Sequence, residues 1–496
     1  MIDEDKIQMY PTLQEVVEEL RRTKDIAFPI AAMSLVGYLK GIISVVCMGK
    51  LGRLELAGGA LAIGFTNITG YSVLSGLAMG MDPVCSQAFG SRNLTLVFAT
   101  LKRTIIMLLC ASVPIGLLWL NLEPVMLRLH QKSDIARVAN LYCKFALPDL
   151  IANSFLHPLR IYLRNKGDPW PLMWCTLLSS ILHLPITIIL AFTFQYGVSG
   201  VAVATFITNF NTLLFLLCYM YCVHDSEELL YTPLESKSLP LYSSSLLGEE
   251  WGTLIRLAVP SCIGVCLEWW WYEFMTILAG YLHEPHITLA ASAIVIQTTS
   301  LMYALPSALS ASVSTRVGNE LGAGRPCQAR LATMVTMTVA VFVSLLSFLW
   351  TALGREPWGR IFTQDVEVLG LTMAVLPIIG LCELGNCPQT AGCGVLRGSA
   401  RPSIGATINL YSFYLVGTPV AIVLAFFSDF GFVGLCYGLL AAQTACALSI
   451  VTVVCKTDWG RESLKARDMV GRGAYAHERQ TTKSDDEFLK EEVFET

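Results

Sequence analysis

Helix-length apolar runs alternate with short polar breaks along almost the whole chain. Twelve can be marked: 26–48, 57–81, 103–120, 138–161, 171–194, 198–222, 256–281, 288–313, 331–353, 368–396, 403–427 and 432–455. Crossing hydrocarbon takes an α-helix of roughly 20 residues. Hydrocarbon offers the backbone no hydrogen-bond partners, so such runs fold as helices. The pattern predicts an all-α polytopic membrane protein of twelve transmembrane helices. Three runs carry acids. The run 256–281 holds Glu268 and Glu273, 138–161 holds Asp149, His157 and Arg160, and 368–396 holds Glu383, Asn386 and Gln389. The runs divide the chain into a tail (1–25), a first lobe (26–222), a linker (223–255), a second lobe (256–455) and a second tail (456–496). Charge and weak hydropathy predict disorder from 456 onward. Residues 11–25 read as an amphipathic surface helix.

The lobes repeat one another. At an offset of 231 residues, Ala27-Phe28-Pro29 meets Ala258-Val259-Pro260, and Gly49 and Ala60 meet Gly280 and Ala291. With one residue inserted, Gln87-Ala-Phe-Gly90 meets Asn319-Glu-Leu-Gly322. Six spans per repeat is an even number, so the halves share one orientation. That is a parallel repeat, with its axis along the membrane normal. Two six-helix lobes then flank a central cleft.

Composition sharpens this picture. The chain of 496 residues is 54% hydrophobic and 15% charged, against about 25% charged in soluble domains. A net charge of −4 gives no reason to expect a nucleic-acid partner. The 16 cysteines mostly fall inside apolar runs, where they read as small core residues rather than disulfide or zinc pairs. Of the 34 lysines and arginines, 25 fall on one side if the N-terminus is cytosolic and 7 on the other. Both termini are therefore expected in the cytosol, and Asn93 of the sequon Asn93-Leu94-Thr95 is expected unglycosylated. No phosphate-binding Gly-x-x-x-x-Gly-Lys-[Ser/Thr] loop, metalloprotease helix or nucleophile elbow occurs. The expectation is no enzyme, no ATP hydrolysis, no cofactor and no metal; His283-Glu-Pro-His286 is too weak a spacing to suggest one.

The acids need a reason to be there. A charged carboxylate in hydrocarbon is costly, so it demands a bound proton, a cationic partner or a water-filled cavity. Leaving water favours the neutral acid, which lets a proton and an organic cation compete for one group. That competition is the minimum requirement for antiport. Glu268 and Glu273 are five residues apart, about 140° around a helix, so they occupy different faces. Their counterparts in the first lobe are Gly37 and Ile42. Glu268, Glu273, Glu383 and Asp149 are the candidate proton or cation coupling residues. Trp269, Tyr272, Asn386, Gln389, Asn67 and Gln297 are the candidate cavity residues. Competing readings are interhelical hydrogen bonding for the stripe Glu383, Asn386 and Gln389, and helix packing for Asn67. For Asp149 the competitor is an ion pair with Lys144 or a contact with His157. Lys40 either snorkels or reaches an acid. Asp82 shapes a turn or meets Arg92. Of Trp269, Trp270 and Trp271, which point to three faces, at most two line a cavity.

Several motifs resemble one family. Glu268-Trp-Trp-Trp-Tyr-Glu273, Arg316-Val-Gly-Asn-Glu-Leu-Gly322, Gly80-Met-Asp-Pro83, Gln87-Ala-Phe-Gly90 and Gly394-Val-Leu-Arg-Gly398 resemble the multidrug and toxic compound extrusion (MATE) family. Cys382-Glu-Leu-Gly-Asn-Cys-Pro-Gln389 is similar to its plant DETOXIFICATION clade. The resemblance implies a V-shaped, two-lobed transporter that exports organic compounds against proton entry, sodium being the less favoured ion. Many bacterial members carry a coupling aspartate in the first helix, where this chain has Ser44. Several eukaryotic relatives place an acid in helix ten at the position of Asn386, and here Glu383 lies one turn earlier.

Together these readings give a proton-coupled antiporter exporting small organic cations, secondary metabolites or hormones. It would work as a monomer in the plasma membrane or an endomembrane such as the vacuole, late endosome or Golgi. Two other classes stay open: a lipid-headgroup flippase, which needs a basic cavity where the intramembrane charges are mainly acidic, and a non-transporting receptor or scaffold.

Overall fold

The computed structural model describes residues 11–129, 131–228 and 249–471. It contains twelve long helices in chain order: α1 Leu13–Leu51, α2 Arg53–Gly90, α3 Leu94–Leu120, α4 Ser133–Lys166, α5 Trp170–Thr193, α6 Gly197–Glu228, α7 Glu249–Ala279, α8 Pro285–Gly322, α9 Pro326–Leu353, α10 Val366–Gly398, α11 Pro402–Phe427 and α12 Gly431–Cys455. Eleven are apolar enough to cross a membrane by composition alone. The exception is α4, whose polar residues depress its hydropathy and which is packed inside the first lobe against α2, α3 and α6.

Two separate apolar cores match the two lobes. One joins residues of α1 to α6 around Trp119, Leu150 and Leu156; the other joins α7 to α12 around Trp271, Phe413 and Phe432. A third, smaller cluster crosses between them, seating Ile26, Ala27 and Ile30 of α1 against Ala308, Leu309 and Ala311 of α8.

The repeat extends to backbone detail. The π-helical turn Ile189–Thr193 of α5 recurs as Val423–Phe427 of α11. The turn that follows holds Gln195 and Gly197 at φ 56°, and its copy holds Asp429 and Gly431 at φ 54°. Gly200 then packs on Leu190 and Ala191, as Gly434 packs on Leu424 and Ala425. A left-handed φ at two non-glycine residues carries a cost, and here the same close packing of α5 on α6 and α11 on α12 imposes it twice.

Two expectations at the chain ends are corrected. Residues 11–25 are not a separate surface helix. A capping box, in which Thr12 and Glu15 exchange hydrogen bonds, starts α1 at Leu13, and its 39 residues make it nearly twice as long as a bilayer requires, ~58 Å at 1.5 Å per residue. The tail from 456 is not uniformly disordered either. Residues 459–471 form a helix that buries Ala466 and Val470 against the second lobe. It is held by Arg401, which donates to Thr457 Oγ1 at 3.0 Å and lies 3.8 Å from Glu462. Ala466 and Val470, with the Arg401-facing Glu462 one turn before them, put one face inward, and a charge-based reading of the tail missed that periodicity. The rest of the tail and most of the linker lie outside the described residues.

Candidate functional site

Three polar clusters occupy the interior, one in each lobe and one between them.

In the second lobe, α7 carries the Trp-rich segment, and helical geometry fans its side chains apart. Trp271 is buried and donates its indole N–H to the Phe413 carbonyl at 3.0 Å. Trp270 turns towards the first lobe and donates to the Ile68 carbonyl at 3.2 Å. Trp269 and Glu268 line a cavity between the lobes. Ser75 and Met79 of α2 form one wall, and Tyr303, Thr390, Arg397 and Asn409 contribute to the others. These three tryptophans therefore have different work. Trp271→Ala is expected to cost about 3–5 kcal/mol of stability and to lower the melting temperature of detergent-solubilised protein. Trp269→Ala should leave that temperature nearly unchanged and weaken ligand binding.

Glu383 sits 2% exposed on α10 and does not itself line the cavity. Both its carboxylate oxygens accept from Asn386 Nδ2, at 3.0 and 3.1 Å. The Asn386 carbonyl accepts from Thr390 Oγ1 at 3.3 Å, and Thr390 reaches the cavity wall. Steps of three and four residues keep these groups on one helix face, so a polar line connects the buried acid to the cavity. Glu268 and Glu383 lie near enough to feel one another's charge, with Tyr272 in the field of both. Glu273 is half-buried on another face of α7.

In the first lobe, Asp149 of α4 is 1% exposed. It accepts from Tyr71 Oη at 2.6 Å and from Asn209 Nδ2 at 2.7 Å. Lys40 Nζ in turn donates to Asn209 Oδ1 at 2.9 Å. Tyr71 closes the π-helical turn Asn67–Tyr71 of α2; the extra residue in that turn rotates the tyrosine towards α4. Next to this cluster, His183 is held between Ser44 and Thr208 at 3.0 and 2.8 Å. Lys40 thus reaches the acid's shell through Asn209. The pair Asp149–Lys144 does not form: Lys144 points outward and is exposed, because five residues along a helix rotate it away from Asp149.

The third cluster ties the lobes together at their Lys/Arg-rich end. Asp82 on α2 is fully buried. It takes Arg164 of α4 at 2.6 Å, Asn165 of α4 at 3.0 Å and Ser314 of α8 at 2.7 Å. Arg397 of α10 stands 3.9 Å away. Arg92, the neighbour expected from sequence, is exposed at a left-handed turn instead. Beside this cluster Arg316 of α8 grips Glu19 of α1 with two bonds of 2.8 and 2.7 Å and reaches Glu320 at 2.8 Å. The paired motifs Gln87–Gly90 and Asn319–Gly322 face each other here. A Cβ on Gly90 would lie 2.0 Å from the Asn319 carbonyl oxygen, and one on Gly322 would lie 2.0 Å from that of Gln87. The contact is reciprocal, as a two-fold axis between the lobes requires.

The structure thus brings Glu268, Trp269, Tyr272, Glu383 and Asn386 to one region. It sets the five other expected residues elsewhere, Glu273 among them on its own face of α7. Asp149 is central to the first lobe. Gln389 is buried with neither amide atom bonded, on a different face of α10 from Glu383. Asn67 begins the π-helical turn. Gln297 is exposed, its backbone carbonyl accepting from Tyr38 Oη at 3.4 Å. Asn67 and Gln297 do not line the Glu268 cavity. Arg397 corrects another expectation. Sequence reading counted it with the basic loop residues, yet its side chain forms part of the cavity wall.

Comparison with known proteins adds three findings. The family model described as MatE matches residues 29–189 and 260–423; the two stretches begin at Pro29 and Pro260, the prolines paired by the internal repeat. Protein DETOXIFICATION 55 of Arabidopsis thaliana is 65% identical over 470 residues, covering 93% of each chain. Protein DETOXIFICATION 52 of the same plant is 49% identical, covering 93% of this chain and 89% of its own. Among solved structures, the eukaryotic MATE transporter AtDTX14 superposes with a TM-score of 0.84 at 30% identity, over 92% of this chain and 100% of its own. An outward-facing multidrug resistance MATE family transporter superposes with a TM-score of 0.78 at 16% identity, over 93% and 99%.

Proposed function

Because the chain belongs to the MatE family and is a polytopic MATE transporter, we propose that it is a proton-coupled antiporter that exports small organic compounds from the cytosol. The observation that carries this reading is the line from Glu383 through Asn386 and Thr390 to a cavity that Glu268 also lines. A proton held on either acid cancels the charge that would hold a cationic substrate. Substrate arriving from the cytosol displaces the proton; on the acidic side a proton displaces the substrate. The two lobes rock about the cleft between these events, with both termini in the cytosol. In that orientation, the buried ties at the Lys/Arg-rich end close the cytosolic side.

Glu273 and Asp149 take secondary places in this scheme. Glu273 has no link to the cavity wall. Asp149 belongs to a cluster already supplied with a cation by Lys40.

The test is uptake of a fluorescent organic cation into proteoliposomes with an acidic lumen. Uptake should follow the pH gradient and vanish with a protonophore. Uptake that follows an imposed sodium gradient at equal pH would replace the proton by sodium. Headgroup-labelled lipid crossing the same vesicles with no cation uptake would favour a flippase.

A further inference from the structure

The inter-lobe cavity presents two opposite charges, and neither has a partner in close contact. Among the described residues, the Glu268 carboxylate accepts no hydrogen bond and forms no ion pair, and Arg397 lines the same cavity. The Arg397 guanidinium donates no hydrogen bond either. Its nearest acid is Asp82 at 3.9 Å. Asp82 has little left to offer it, being occupied by Arg164, Asn165 and Ser314 at 3.0 Å or less. A guanidinium has five donors in a planar fork that suits a carboxylate. With one ion pair at 3.9 Å and no hydrogen bond, the Arg397 guanidinium keeps donors available to a ligand in the cavity. Trp269 and Met79 line the same cavity and offer an apolar surface.

From this juxtaposition we propose that the cavity selects amphoteric substrates: aromatic molecules with a cationic nitrogen set against Glu268 and a carboxylate set against Arg397. Arg397 is then a specificity-determining residue. The proposal rests on the reading that this cavity is the substrate site, and it goes further by naming what the site prefers. A substrate with only a cationic group leaves Arg397 unsatisfied, and one with only a carboxylate leaves Glu268 facing an apolar body.

The experiment compares two ligands that differ at one group: a rhodamine carrying a free carboxylate, and its methyl ester, which is a simple cation. Binding to the full-length protein in lipid nanodiscs is followed by fluorescence anisotropy, with empty nanodiscs subtracted. A charge-assisted bond to Arg397 should favour the free acid by about tenfold or more. In Arg397→Gln the ratio of the two affinities should collapse towards one, and in Arg397→Lys part of it should return. Equal affinities in the wild type, or a preference that survives Arg397→Gln, would overturn the proposal. The wild-type ratio needs no variant, so the proposal can fail even if Arg397→Gln does not fold. No gradient enters this assay, which separates it from the antiport reading. A preference for the acid without gradient-driven uptake refutes antiport alone. Gradient-driven uptake of the ester, with no preference in binding, refutes only the substrate class.

Discussion

Glu383→Gln is expected to abolish pH-gradient-driven uptake of an organic cation while leaving the protein folded. Glutamine keeps the shape of a protonated glutamate and keeps the partner Asn386, whose amide can reorient to match it. The variant cannot exchange a proton or present a charge. Glu268→Gln should also abolish the drive and, because Glu268 touches the cavity, should weaken cation binding as well. Losing a charge-assisted contact there is worth about 1.5–3 kcal/mol, or roughly ten- to a hundredfold in affinity. The two variants should therefore differ. Both stop coupled uptake, but only Glu268→Gln should strongly weaken binding measured at one pH without a gradient. Glu273→Gln should retain more than half of wild-type uptake, since Glu273 lies on a different face of α7 from the cavity.

The second large effect concerns the contacts that hold the lobes together at the basic end. Gly90 and Gly322 bring α2 and α8 to within backbone contact, and Asp82 with Ser314 and Glu19 with Arg316 lock that approach. Gly90→Val forces the two backbones apart. Asp82→Asn removes the charge to which Ser314 of α8 donates across the lobe boundary, and losing a charge-assisted hydrogen bond of this kind costs about 1.5–3 kcal/mol. A shift of that size changes the ratio of two conformers by roughly ten- to a hundredfold. Both variants should populate the state open at this end and lose turnover. Hydrogen–deuterium exchange should rise over residues 80–90 and 312–322 and stay unchanged over 189–193. Gly37→Ala is the control: a Cβ there meets nothing within 4 Å, so exchange and turnover should match wild type. Equal exchange in Asp82→Asn and wild type would remove the cluster from any gating role.

The spans and the parallel repeat were readable from sequence, because both are periodic properties of the chain. Acids in apolar runs are equally visible, and Glu268 and Glu383 did come together. The rest of the site depends on contacts between distant helices. Tyr71 and Asn209 are ordinary residues in their own segments, and only the π-helical turn and the packing of α2, α4 and α6 gather them around Asp149. Asp82 drew attention to the adjacent Arg92, whereas its partners come from three other helices in both lobes. Arg397 shows the limit most clearly. Its position near a helix end made it a loop charge in the topology count, and only the side chain's direction puts it in the cavity. Glu19 failed in the same way: a short polar segment ahead of the first span looked detached, but its buried pairing with Arg316 makes it part of the interface.

The central claim is that proton and substrate compete for the acids of the second lobe. Its most direct measurement is proton release on ligand binding, read with a pH dye in weakly buffered solution around purified protein. Adding a saturating organic cation near neutral pH should release protons from the wild type in proportion to the ligand bound. The release should shrink in Glu268→Gln and Glu383→Gln and disappear when both are combined. Binding that releases no proton from the wild type, or a release that persists in the double variant, would contradict the account and move the search for the proton to Asp149.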